Sequence, residues 1–181
     1  MWLVFGASAG RNAVEYSKGT DAGNEAFLER QGEEEAARVE ALRGRKKGGE
    51  KLAHIRNELN RAMEDGCGVY REQASMDAAV RTVAELKGRY ADIGLQDSSR
   101  VFNTELIAAM ELGAMLDVAE AVVNSAAARN ESRGAHTRKD AQARDDQNFL
   151  HHSLCHFDPA GPRIDEKAVN LGKWEPEERK Y

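Results

Sequence analysis

Apolar positions at helical spacing divide the middle of the chain into three helices. Leu52, Ile55, Leu59, Ala62 and Met63 recur every three or four residues. They predict a helix that ends at Gly66-Cys67-Gly68, where glycine can take the left-handed conformation of a C-terminal stop. After a turn, Val80, Val83, Leu86, Tyr90 and Ile93 form a second stripe, with Ser75 expected as its N-cap and Gly94 as its end. The third and longest helix is predicted from Ser98 or Ser99 to about Arg129, with Val101, Phe102, Leu106, Met110, Met115, Val118 and Val122 among its apolar positions. So broad an apolar surface predicts burial on more than one side. Met110 and Met115, at helical spacing in that surface, read as core rather than as soft metal ligands. Three amphipathic helices with short connections predict an antiparallel bundle over residues 48–129.

The flanks read differently. In residues 2–17, Val4, Phe5, Ala9, Ala13 and Tyr16 fall near one face of a helix, and small residues cluster from Gly6 to Gly10. So short a helix cannot bury that face by itself and is expected to pack on another element. From Asn24 to Lys51, Glu33-Glu34-Glu35 alternates with Arg43, Arg45, Lys46 and Lys47, which predicts a solvated helix laced by i,i+4 pairs and broken at Gly44, Gly48 and Gly49. Beyond Arg129 no apolar period survives as far as Asp146. Residues 149–157 and 163–171 then flank Asp158-Pro159-Ala160-Gly161-Pro162, the pattern of a β-hairpin. The tail from Trp174 to Tyr181 is charged, with those two aromatics as its anchors.

Composition narrows the class. A length of 181 residues suits one domain, with 41% hydrophobic, 31% charged and 6% aromatic residues. No proline precedes Pro159, which agrees with a helical body. No run approaches 18 apolar residues and there are only two cysteines, so a membrane-spanning or disulfide-built protein is excluded. A net charge of -5 argues against whole-molecule attraction to nucleic acid or an anionic bilayer. Cys67 and Cys155 form no CxxC and suit a reducing cytoplasm, and the N-terminus lacks the basic region of a secretion signal.

Catalytic motifs are sparse. His151, His152, Cys155 and His156 would alternate across a strand, and no second cluster supplies the converging ligands that a tetrahedral zinc site needs, so they read as packing or solvated side chains. His54 has no ExxH partner, which removes a di-iron bundle. The sequence has no GxGxxG, Walker loop or nucleophile elbow. One dense polar motif remains, Ser132 to Asp140 followed by Arg144-Asp145-Asp146, in which guanidinium groups interleave with carboxylates and Gly134 permits a tight turn. It reads either as a structural ion-pair loop or as a surface that docks a neighbouring domain. Arg133, His136, Arg138, Arg144, Asp145 and Asp146 are the docking candidates.

Several of these segments together resemble one family. Met115-Leu116, the run Glu131-Ser132-Arg133-Gly134-Ala135-His136-Thr137-Arg138, Arg144-Asp145-Asp146 with Phe149-Leu150-x-His152, and the ending Trp174 to Tyr181 with its Glu178-Arg179-Lys180-Tyr181 closely resemble the C-terminal region of the flavoprotein subunit of succinate dehydrogenase and fumarate reductase. Val4 to Gly10 is similar to the helix that closes that family's FAD-binding domain. Ala141-Gln142-Ala143 departs from the usual aromatic and proline before the RDD element. L-Aspartate oxidase shares the SRG-x-H loop but matches the rest less well.

The resemblance implies a mainly α fold: a remnant helix of the FAD-binding domain at 1–20, a charged helical connection at 21–51, the three-helix bundle at 48–129, and a polar loop, small β-hairpin and tail at 130–181. It implies participation in succinate–fumarate oxidoreduction within a respiratory complex at the cytoplasmic face of the inner membrane. The implied partners are the flavin domain of the parent subunit and an iron-sulfur subunit, with no nucleic acid and no direct membrane insertion. The family's FAD and dicarboxylate residues precede the matched part, so this chain is expected to carry no catalytic, cofactor-binding or metal residue and to be inactive alone. The alternatives are a stand-alone helical interaction module and a fragment of L-aspartate oxidase.

Overall fold

The computed structural model describes residues 2–21, 23–45, 49–174 and 176–177, and the chain divides into two units, one through Arg43 and one from Gly44 onward. In the first, α1 (Trp2–Lys18) leaves Leu3, Val4, Phe5, Val14 and Tyr16 exposed. In α2 (Glu25–Arg43), the Asn24 side chain accepts from the Phe27 amide at the first turn, and Arg30–Glu34 and Arg38–Glu35 pair along a solvated surface. That is the laced helix the charge pattern predicts, ending at Gly44; Gly48 lies outside the described residues.

The second unit is built on α3 (Leu52–Cys67), α4 (Gln73–Tyr90) and α5 (Thr104–Ala128), with β1 (Tyr70–Arg71) between the first two. Ile55 and Leu59, Met76, Val83 and Leu86, and Leu112, Leu116 and Val123 are essentially solvent-free and form the core where the three helices meet. Gly66 lets α3 approach α4: a Cβ there would lie 2.4 Å from the Ala79 Cβ. Gly113 makes room for Tyr90, whose hydroxyl donates to the Ala109 carbonyl at 2.9 Å and ties α4 to α5. Lys87 pairs with Asp117 and Glu120, and Arg89 with Glu50 and Glu58, around the rim.

Helix boundaries correct the sequence reading in four places. α4 begins at Gln73, and Ser75 lies inside its first turn, its hydroxyl donating to the Glu72 carbonyl at 3.0 Å. α4 ends at Tyr90, so Gly94 is not its stop; Gly94 and Ile93 instead form a parallel bridge with Glu50, so close that a Cβ on Gly49 would meet the Asp92 carbonyl. Gly68, after α3, has φ -66 and not a left-handed value. α5 starts at Thr104 and not at Ser98 or Ser99, because the Asn103 side chain caps it by accepting from the Leu106 amide at 2.8 Å. Val101 and Phe102 therefore lie before the helix and are exposed.

The expectation that α5 is buried on two sides is half met. Its second stripe, with Ile107, Val118 and Val122, faces solvent, and Val118 and Val122 line an open apolar groove of about 530 Å³ shared with Leu59 and Met63. Met115 sits on that groove at 36% exposure, so it is not a core residue.

After α5 the chain runs through β2 (Thr137–Arg138), which pairs parallel with β1. A short α6 (Asp146–Phe149) leads into β3 (His151–His156) and β4 (Arg163–Ala168), an antiparallel pair in register from His151↔Ala168 to His156↔Arg163. In the turn, the Asp158 carboxylate accepts from the Ala160 amide and Gly161 takes φ +124, as the Pro/Gly segment predicts. Of the tail, Glu175 and Glu178-Arg179-Lys180-Tyr181 lie outside the described residues.

Candidate functional site: the ion-pair loop after α5

α5 ends because Arg129 turns to an extended conformation, φ -97 and ψ 103. Its side chain then reaches three other segments. One guanidinium nitrogen donates to Glu131 Oε1 and to the Phe149 carbonyl at 2.8 Å; the other donates to the His151 carbonyl at 2.6 Å and Ser153 Oγ at 3.3 Å. The Arg129 carbonyl accepts from Arg138 at 3.1 Å and lies 3.0 Å from His136 Nε2. One residue thus fastens the bundle to the loop, to α6 and to the hairpin.

Glu131 is fully buried. Arg133 grips its carboxylate through two nitrogens at 2.7 and 2.9 Å, the Asp145 amide donates at 2.8 Å, and Arg129 completes the set. Burial pushes this carboxyl up, but the bonds from Arg133, the Asp145 amide and Arg129 outweigh it and hold the group below the usual carboxylate range. Arg133 also donates to Asp146, which pairs in turn with Arg144; Arg144 reaches the Glu177 carbonyl at 2.8 Å. Asp145 caps α6 by accepting from the amides of Gln147 and Asn148. Gly134, at φ +59, makes the turn that bridges Arg133 to His136.

Arg138 is buried and forks onto Asp140, which also accepts from the Gln73 amide at the start of α4. The Asp140 carboxyl is held far below its ordinary range, by Arg138 first and the Gln73 amide second. His136 Nδ1 faces an Arg71 nitrogen at 2.9 Å while Nε2 faces the Arg129 carbonyl. Arg71 can only donate and a carbonyl can only accept, so the ring is neutral with its proton on Nε2. Burial lowers its pKa, and the cations Arg71, Arg138 and Arg129 push the same way.

All six docking candidates therefore belong to one connected network, and most of their hydrogen-bonding capacity is turned inward. The docking candidates left out its hubs: Arg129 and Arg71 were not singled out, and Glu131 and Asp140 were read only as members of the motifs. The available signal was the alternation Arg129-x-Glu131-x-Arg133, which puts two cations either side of one acid. Among the described residues no buried side-chain nitrogen or oxygen lacks a partner.

The histidine–cysteine cluster lies on β3 as the alternation predicts, His151 and Cys155 on the partly buried face, His152 and His156 on the exposed one. His151 faces Glu166 and His156 faces Asp165, and among the described residues no three His, Cys, Asp or Glu side chains are grouped to hold a metal ion. His54 lies 3.7 Å from Glu50. No described helix is long and apolar enough to cross a membrane.

The network makes stability depend on pH in two steps. His136 has a folded pKa below its unfolded value of about 6.5, so its contribution is complete above that pH and is lost as pH falls toward the folded value. Glu131, Asp140, Asp145 and Asp146 are likewise lowered, so theirs is complete above about pH 4 and is lost below it. Urea midpoints measured from pH 8 to pH 3 are expected to fall in both windows. His136→Gln, which can still accept from Arg71 and donate to the Arg129 carbonyl, should abolish the first fall and leave the second.

Comparison with known proteins places this network. Residues 56–181 match the family described as fumarate reductase flavoprotein C-term. The fumarate reductase flavoprotein subunit of Haemophilus influenzae is 43% identical over 180 residues, 99% of this chain and 30% of the relative, and that of Mycobacterium tuberculosis is 42% identical over 184 residues, 99% of this chain and 32% of the relative. Among solved structures, E. coli quinol fumarate reductase FrdA superposes with a TM-score of 0.90 at 41% identity, covering 97% of this chain and 30% of that one. The chain spans about three tenths of the length of these relatives.

Proposed function

The chain belongs to the family of fumarate reductase and succinate dehydrogenase flavoprotein C-terminal regions, and from this premise we propose that it serves as the C-terminal part of an FAD-dependent subunit interconverting succinate and fumarate. The observation that supports this most directly is the buried Glu131 gripped by Arg129 and Arg133 inside the matched span: an internally satisfied platform in which, among the described residues, no buried side-chain nitrogen or oxygen lacks a partner. Such a platform positions other elements and performs no chemistry. Membership in the family does not favour a stand-alone interaction module or an L-aspartate oxidase fragment.

FAD would supply the hydride chemistry of the complete subunit. The described residues do not fit that group: no strand-to-helix glycine loop is present, and the buried cations are already committed to Glu131, Asp140 and backbone carbonyls. Flavin and substrate would therefore be held by the part of the polypeptide that the longer relatives possess. The partners are that flavin-bearing part and an iron-sulfur subunit, in a complex on the cytoplasmic face of the inner membrane.

Of the six docking candidates, Arg133, Arg144, Asp145 and Asp146 would form the contact, held in place from behind by His136 and the buried Arg138. In a complete subunit, Arg133→Ala should release the loop from Glu131 and Asp146, lower flavin content and weaken association with the iron-sulfur subunit. Flavin content, thermal stability and association all equal to the unaltered subunit would dispose of the docking role. Purified chain alone should show neither flavin absorbance nor succinate-dependent dye reduction, and either signal would refute the proposal.

A further inference from the structure

Phe102 is 94% exposed, and its φ of 53 makes it the only non-glycine residue with a positive φ among those described. A large aromatic side chain rarely adopts that conformation, because Cβ crowds the following carbonyl. The surrounding hydrogen bonds impose it. The buried Asn103 amide donates to the Asp97 and Ser99 carbonyls at 3.0 Å each and its oxygen caps α5, while the Glu105 carboxylate accepts from the Gln96 and Asp97 amides at 2.7 Å. The chain is pinned on both sides of Phe102, and the ring is held in water beside Val101, itself 71% exposed.

An apolar ring kept out of the core by a fixed backbone has already given up the freedom that binding would otherwise remove, which is the property of an anchor at a binding surface. We propose that Phe102, with Val101, is a preorganised anchor that seats in an apolar pocket on the flavin-bearing part of the polypeptide. Two facts favour that occupant. The FrdA chain superposes over 97% of this one, yet this one spans only 30% of it, so most of the FrdA chain, covalently continuous with the matching region, lies outside the matched span. A ring and one valine fall far short of the roughly 1,000 Å² that a stable interface between separate chains needs, whereas a tether supplies a high effective concentration. The inference rests on the reading under Proposed function.

The test joins this chain, in place of its matching region, to the flavin-bearing part of the Haemophilus influenzae subunit, with Phe102→Ala and Phe102→Gly made both there and in the 181-residue chain. Hydrogen exchange in the peptide covering residues 96–106 is expected to slow at least tenfold in the joined protein relative to the chain alone, and either substitution should abolish the slowing. In the chain alone, Phe102→Gly should raise Tm by about 2 °C by relieving the left-handed strain, and Phe102→Ala should not. Flavin retained without slowing, or slowing that survives Phe102→Ala, overturns the anchor and leaves the family role standing. Flavin lost together with the slowing in the unsubstituted joined protein overturns both. Slowing that appears only with rising concentration of the chain alone, or only on adding an iron-sulfur subunit, overturns the anchor in favour of those occupants. A lower Tm for Phe102→Gly overturns the strain that preorganises it.

Discussion

Glu131→Ala should cost about 3–5 kcal/mol of folding free energy, because it removes the acceptor from a buried charged cluster and leaves its cations without compensation. The side chain is solvent-free and takes bonds from Arg133, Arg129 and the Asp145 amide. Each donor comes from a different stretch of chain. Losing the carboxylate therefore unfastens the exit of α5, the Gly134 turn and the entry to α6 at once. Urea denaturation of the unaltered and substituted chains measures it, and at about 1–3 kcal/mol per molar urea the midpoint should fall by about 1 M or more. Glu131→Gln preserves shape and one acceptor and should fall between the two. A loss under about 1 kcal/mol would give the cluster the small value typical of exposed ion pairs, and the central role assigned to Glu131 would be wrong.

Leu112→Ala is expected to destabilise by about 2–5 kcal/mol through lost transfer energy and the cavity left among α3, α4 and α5. Leu112 is completely buried. Val118, on the same helix and 63% exposed, provides the contrast, and Val118→Ala should stay within about 0.5 kcal/mol in the chain alone. The pair separates the two apolar faces of α5. Comparable losses from both would mean that the outer stripe is covered in solution; equal and negligible losses would mean that the bundle core lies elsewhere.

The residues that were readable from pattern are those whose neighbours are close in sequence. Stripes such as Ile55-Leu59 and Val83-Leu86 bury in the bundle as their spacing predicts, and the Pro/Gly turn forms the hairpin. The starts and stops of helices were less legible. Ser75 has the chemistry of a cap, but the chain turns helical two residues earlier, and Gly94 donates its amide to the Glu50 carbonyl beside the Glu50–Ile93 bridge and is not a helix end. Likewise Val101 and Phe102 continue the apolar run of α5 in sequence, yet the Asn103 amide starts the helix after them.

At the candidate site, the motif from Ser132 to Asp146 was legible as a set of interleaved charges, but its pairing was not. Arg71 meets His136 across 65 positions and Gln73 meets Asp140 across 67, distances over which no local rule assigns partners. Arg129 and Glu131 have ordinary residue types in an ordinary place. Only their burial and the carbonyls brought around them show that they are the centre of the network.

By itself, then, the sequence determined the helical class, the three amphipathic segments, the hairpin and the family, because periodicity, turn chemistry and contiguous motifs are properties of residues near one another along the chain. The tertiary structure decided which arginine holds which carboxylate, which face of α5 is core, and that Phe102 stands in water under backbone strain. Those outcomes depend on hydrogen bonds and packing between segments distant in sequence, whose geometry exists only once the bundle, loop and hairpin have come together.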